Sequence, residues 1–162
     1  MREAWSDDAT YYTANKGARG LIVAFCAFGH GFGVPTTYFL QMLRDDLYDV
    51  LVLYDRRKQH FDGGIAGFSG ALLETARLID TFARERGFDE VITFGASMGG
   101  FPALRAGLLL GAKRAISVGG VYCWHVAPLL KNKGTVRAFD LLCPCFANRD
   151  VELVAAVPAK HA

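Results

Sequence analysis

Between residues 21 and 120 the chain alternates short apolar runs with longer amphipathic stretches. Leu21–Phe28 is apolar at every position until it meets glycines, the pattern of a strand buried on both faces. Val50–Tyr54, Val91–Phe94 and Arg114–Val118 read as three further strands. The stretches between them repeat at helical spacing. Thr36 or Thr37 can cap a helix through about Asp46 that puts Phe39, Leu40, Leu43 and Leu47 on one side. A longer helix over Ser69–Arg86 places Leu72, Ala76, Ile79 and Ala83 on one face, with Gly87 as its C-terminal cap. Met98–Leu110 is a third, ended by Gly111. Strand and helix alternating in this way predict an α/β fold, a mainly parallel sheet with helices on both faces.

The flanks carry less pattern. Residues 1–19 read as polar and irregular, with a short edge strand at Thr10–Thr13. Beyond residue 120, Gly134, Pro144 and Pro158 interrupt the chain, and Val151–Val157 reads as another strand. There is no internal repeat, low-complexity tract or linker, so residues 1–162 read as a single domain. At 52% hydrophobic and 21% charged residues the composition is globular. A net charge of +2 is too small to make nucleic acid or an anionic membrane the main partner. The amino-terminal MREAWSDDATYY lacks the apolar core of a secretory signal, and no apolar run reaches the roughly 18 residues of a membrane span. Cys26, Cys123, Cys143 and Cys145 show no framework spacing and read as reduced thiols, so the expectation is a soluble cytoplasmic protein.

The chemistry concentrates in GASMGG, residues 95–100, between the third strand and the third helix. A buried strand, then G-x-S-x-G, then a helix is the setting of a nucleophile elbow. The serine sits in a tight, strained turn that lifts its hydroxyl above the sheet edge. Side chains at positions 95 and 99 would collide with the adjoining strand and helix, which requires Gly95 and Gly99. The amide of Met98 then lies at a helix start, where it can donate to an oxyanion.

The first strand run is followed by Gly29–His30–Gly31–Phe32–Gly33. With His30–Gly31–Phe32–Gly33 after the first strand and GASMGG after the third, residues 20–120 resemble the α/β-hydrolase superfamily. That resemblance implies a three-layer sandwich, a second oxyanion donor at the Phe32 amide, and a structural rather than catalytic His30. It also implies the chain order serine, acid, histidine. Downstream of Ser97 the histidines are His125 and His161, and the acids considered are Asp140, Asp150 and Glu152. His125 follows the fourth strand too closely. Asp150 is separated from His161 by residues 151–160 alone, too few for a strand and a crossover of about a dozen residues. Asp140 with His161 fits if residues 135–139 are a strand and 141–150 cross over. In the other reading Val151–Val157 is the acid-bearing strand, and the acid and histidine lie beyond residue 162 in a longer parent.

Other groups point elsewhere. A dinucleotide fingerprint would need glycine at position 34, where Val34 stands, which leaves Asp55 as the acid that starts a loop. Cys143-Pro-Cys145 has no second cysteine pair and reads as packing rather than a metal site. Arg56, Arg57, Lys58 and His60 share a loop at the carboxyl edge of the sheet, where an anionic substrate group could meet them, though a solvated basic loop is the simpler reading. The activity expected is that of an esterase-type serine hydrolase acting on a small-molecule ester or thioester. Ser97, His161 and Asp140 would be catalytic, Met98 and Phe32 would hold the oxyanion, and no cofactor or metal is implied. A non-catalytic hydrolase-like binding domain and a nucleotide-binding α/β domain are the alternatives.

Overall fold

The computed structural model describes residues 1–14, 17–43 and 47–120, together with the backbone of 152–156. Seven strands form one sheet in these residues: β1 (Arg2–Ser6), β2 (Ala9–Tyr12), β3 (Gly20–Phe25), β4 (Tyr48–Leu53), β5 (Glu90–Ala96), β6 (Arg114–Val118) and β7 (Glu152–Ala156). Their spatial order is β1-β2-β4-β3-β5-β6-β7. The five strands from β4 to β7 are mutually parallel, and β1 and β2 join antiparallel at one edge. The helices are α1 (Thr36–Met42), α2 (Leu72–Arg86) and α3 (Gly100–Leu110).

The continuous apolar runs are buried on both faces, as their lack of alternation predicts. In β3, Leu21, Val23 and Phe25 face one core, and Ile22, Ala24 and the following Cys26 face the other. β4 divides the same way, with Leu51 and Leu53 on the first side and Val50 and Val52 on the second. Ile79 and Ala83 of α2 and Ala103 and Ala106 of α3 pack on the first face, while Phe39 of α1 packs on the second. The helices therefore cover both sides of the sheet. Gly87, at φ 70°, ends α2 as predicted, with its N–H and that of Phe88 closing on the carbonyls of Arg84 and Ala83.

Several expectations need correction. The amino terminus is a β-hairpin rather than irregular chain with one edge strand; β1 is the edge, and β2 pairs with β4. Tyr11 anchors it, fully buried against Trp5 and Phe82, its hydroxyl donating to Asp49. Charged residues at Arg2, Glu3, Asp7 and Asp8 break the alternation that would have revealed these strands. α1 stops at Met42 because Leu43 is extended, and the chain must return to enter β4. Its threonines do not cap it; Pro35 stands at the N-cap and Thr36 is already helical. α2 starts at Leu72, not Ser69. The Ser69 hydroxyl accepts the Ile65 N–H in a preceding turn, and Glu74 takes the Gly70 N–H. β3 ends at Phe25, three residues before its apolar run does, because the Ala27 N–H bonds to the Gly31 carbonyl and folds the chain away.

This topology determines where a ligand can sit. β3 and β5 are neighbours, yet β3 leads through α1 to β4 on one side and β5 leads through α3 to β6 on the other. The two connections part above the carboxyl ends of β3 and β5 and leave a crevice there, the position at which open parallel sheets bind ligands. Ser97 follows β5 directly into that crevice.

Candidate active site

β5 runs to Ala96, and a single 3₁₀ turn, Ser97–Gly99, joins it to α3. Ser97 has φ 49° and is solvent exposed, between the buried Ala96 and Met98. A serine in this left-handed region costs about 1 kcal/mol or more relative to an ordinary conformation. Neighbouring contacts hold it there. A Cβ on Gly95 would stand 2.0 Å from the Gly99 carbonyl oxygen, and one on Gly99 would stand 2.1 Å from the Phe25 oxygen. Gly100 is confined too, since a Cβ there would be 2.3 Å from the Ser117 hydroxyl. The α3 start thus lies almost in backbone contact with the ends of β3 and β5. Only glycine allows that approach.

Below the turn, the Cys26 thiol is fully buried, and burial pushes its pKa well above the usual thiol range. It stays protonated at neutral pH and is no competing nucleophile. Burial likewise raises the Tyr54 phenol.

The cleft over Ser97 measures about 220 Å³ and is lined by Phe28, His60, Ser97, Met98, Phe101 and Gly119. Three of these residues, Phe28, Phe101 and Gly119, went unrecognised in the sequence. Phe28 belongs to an apolar run that reads as strand, and its exposure follows from β3 ending early. Phe101 looks like ordinary helix core. His60 was visible as part of a basic loop, but its place beside the serine depends on how that loop folds. Asp55, buried at the end of β4, supplies the fold: its carboxylate accepts the N–H groups of Gln59 at 2.7 Å and Phe61 at 2.9 Å. Phe61 is driven into the core, where its ring meets Phe25 edge-on at 5.1 Å. Lys58, His60 and Phe61 adopt φ of 57°, 53° and 63°, a strained backbone that Asp55 and the Phe61 anchor keep in place. Asp55 is therefore a loop organiser, consistent with its reading as a loop-start acid.

The Phe32 expectation does not fit this geometry. The Phe32 N–H donates to the Val34 carbonyl at 3.1 Å. Its ring stacks at 4.1 Å on Phe39 and lies 5.8 Å from Phe94, inside the core under α1. Its amide is engaged and its side chain is structural; Phe28 is the residue of this loop that reaches the cleft. His30, at φ 61°, is exposed beside Tyr54 at 6.2 Å between ring centroids and does not line the cleft. Asp140, His161, His125 and Asp150 lie outside the described residues, as do Cys123, Cys143 and Cys145. No helix among the described residues is long and apolar enough to cross a membrane.

Comparison with solved structures places this arrangement. Est1E from Butyrivibrio proteoclasticus superimposes with a TM-score of 0.52 at 14% identity, over 84% of this chain and 55% of that one. MPT51 (FbpC1) of Mycobacterium tuberculosis gives 0.50 at 17% identity, over 69% and 45%. MGS-MChE2, an α/β hydrolase from a metagenome of Mar Chica lagoon sediments in Morocco, gives 0.47 at 19%, over 81% and 57%. The fold is that of the α/β hydrolases. At these identities the likeness extends to the fold alone, and the chain spans about half the length of the structures it matches. No protein-family model and no curated protein matches it. Within this α/β-hydrolase frame, Ser97 stands at the end of the central parallel strand, in the crevice where β3 and β5 part.

Proposed function

We propose that the protein is a serine hydrolase of the esterase type, cleaving a small-molecule ester or thioester with Ser97 as nucleophile. The observation that carries this is the Ser97 turn: an exposed serine at φ 49°, held by two glycines that tolerate no side chain, over an open cleft. Strain of this kind persists where the surrounding structure enforces it, and it concentrates at reactive sites.

In the reaction Ser97 Oγ attacks the substrate carbonyl, its proton passes to a histidine, and the carbonyl π electrons move onto oxygen. The Met98 amide, at the start of the turn, is the proposed oxyanion donor, with the second donor from the loop backbone at Phe28 instead of Phe32. Collapse expels the alcohol or thiol, which takes the proton back from the histidine. Water then releases the acyl group by the same steps. No cofactor or metal has a role in these steps.

His161 and Asp140 are the proposed base and orienting acid within this chain.

The test is labelling with a fluorophosphonate serine probe, read by intact mass. One adduct on the wild type and none on Ser97→Ala is the expected result, and loss of the adduct in His161→Ala would assign the base to this chain. An unlabelled but folded wild-type chain would overturn the reading and leave a binding role.

A further inference from the structure

The two aromatic walls of the Ser97 cleft each carry a cation. Lys58 Nζ lies 4.2 Å from the ring centroid of Phe28, and the Arg105 guanidinium lies 5.6 Å from that of Phe101. The two cations differ in what neutralises them. Arg105 is paired with Asp62 at 2.6 Å. Lys58 has no carboxylate partner among the described residues. The other two cations of the loop are committed elsewhere: Arg56 bonds Asp8 at 2.8 Å, and Arg57 donates to the carbonyls of Gly63 and Gly64. The nearby Asp55 carboxylate is buried, and its Oδ2 accepts the Gln59 and Phe61 amides. The strained loop therefore carries an ammonium with no carboxylate partner among the described residues, seated on the Phe28 ring that lines the cleft, and an imidazole that lines the cleft itself.

We propose that the cleft selects esters bearing an anionic group, with Lys58 as the specificity-determining contact for that charge and His60 beside it. This rests on Ser97 being the nucleophile. A lysine ammonium is a compact point charge rather than a planar fork, so it recognises the charge of a carboxylate or a phosphate without demanding a two-point geometry. The contact lies at the rim, where an ion pair contributes up to a factor of about five and is screened by salt.

Two fluorophosphonate probes of equal length, one ending in a carboxylate and one in its methyl amide, give the test. Their second-order labelling rates are compared on the wild type, Lys58→Met and Lys58→Glu. The expected carboxylate preference is about threefold to fivefold in the wild type at low salt, about onefold in Lys58→Met, and reversed in Lys58→Glu. In the wild type it should also fall towards onefold at 1 M salt, a measurement that needs no variant to fold. A third probe ending in a phosphate monoester separates the two anions: a larger preference for it than for the carboxylate assigns the site to phosphate-bearing esters, and a smaller one to carboxylates. Equal labelling by charged and neutral probes, unchanged in Lys58→Met, overturns this inference and leaves Ser97 as nucleophile. No labelling by any probe on a folded chain overturns both.

Discussion

At the turn after β5, a Cβ added to Gly95 or Gly99 would stand 2.0 Å or 2.1 Å from a backbone carbonyl oxygen. At Gly29, in the glycine-rich loop after β3, an added Cβ would meet nothing within 4 Å. Both segments read as reactive-site motifs in the sequence, and the first is the more tightly constrained: in the second a Cβ on Gly31 would stand 2.9 Å from the Val34 carbonyl oxygen and Gly33 takes a φ of 82°, while Gly29 stands open. The glycines at 95 and 99 are there because backbone meets backbone. Gly29 sits in an exposed turn with room around it, and the phenylalanine of that loop, Phe32, belongs to the core. A glycine in a motif is dependable where it answers to a neighbour, and much less so where its surroundings are open.

The sharpest way to break this contrast is a pair of alanine substitutions. Gly99→Ala should cost about 3 kcal/mol or more, because the Phe25 carbonyl it strikes is backbone at the centre of the sheet and has no rotamer to move. Gly29→Ala should stay within about 0.5 kcal/mol of wild type. Urea unfolding of the two variants decides it; similar losses at both positions would mean that the elbow is not sterically determined.

A second pair sharpens the assignment of the loop phenylalanines. Phe32→Ala should lose about 3 kcal/mol, since the ring is buried against Phe39 and Phe94. Per folded molecule, its rate of Ser97 labelling should be unchanged. Phe28→Ala should lose less than about 1 kcal/mol, because Phe28 is 54% exposed, yet it should alter the labelling rate because Phe28 lines the cleft. The reverse pattern would restore Phe32 to the oxyanion site.

These pairs also separate what the sequence reveals from what it withholds. The strands β3 to β6, the face of α2 and the glycine cap at Gly87 are local facts, written in periodicity and in residues that permit one conformation. The elbow is so in part: Gly95 answers to Gly99 within the same turn, whereas Gly99 answers to the Phe25 carbonyl on β3. The hairpin β1–β2 was hidden, since Tyr11 is buried through contacts with Asp49 and Phe82 far along the chain. The cleft was hidden for the same reason. Phe28 reaches it because β3 ends early, and His60 reaches it because Asp55 bends its loop; neither event leaves a periodic trace. Whether Asp140 and His161 join the site depends on pairings still more distant in sequence, which a count of intervening residues constrains without deciding.

The smallest expected effect asks whether the two turns share strain even though they do not share crowding. Ser97 and His30 have φ of 49° and 61°, both in the region that favours glycine. If the strain belongs to the dihedral alone, Ser97→Gly should be more stable than Ser97→Ala by about 1 kcal/mol, and His30→Gly should exceed His30→Ala by a similar amount. The comparison of glycine with alanine removes side-chain chemistry from both pairs, and the lower strain of glycine is partly offset by its greater freedom when unfolded. An exposed turn with space around it can relax, however, whereas the elbow is clamped between Phe25 and Ala103. A full difference at position 97 with a reduced one at position 30, read from paired thermal unfolding curves, would show that the protein holds the serine in a conformation the chain would otherwise leave. No difference at position 97 would remove strain from the account of its reactivity.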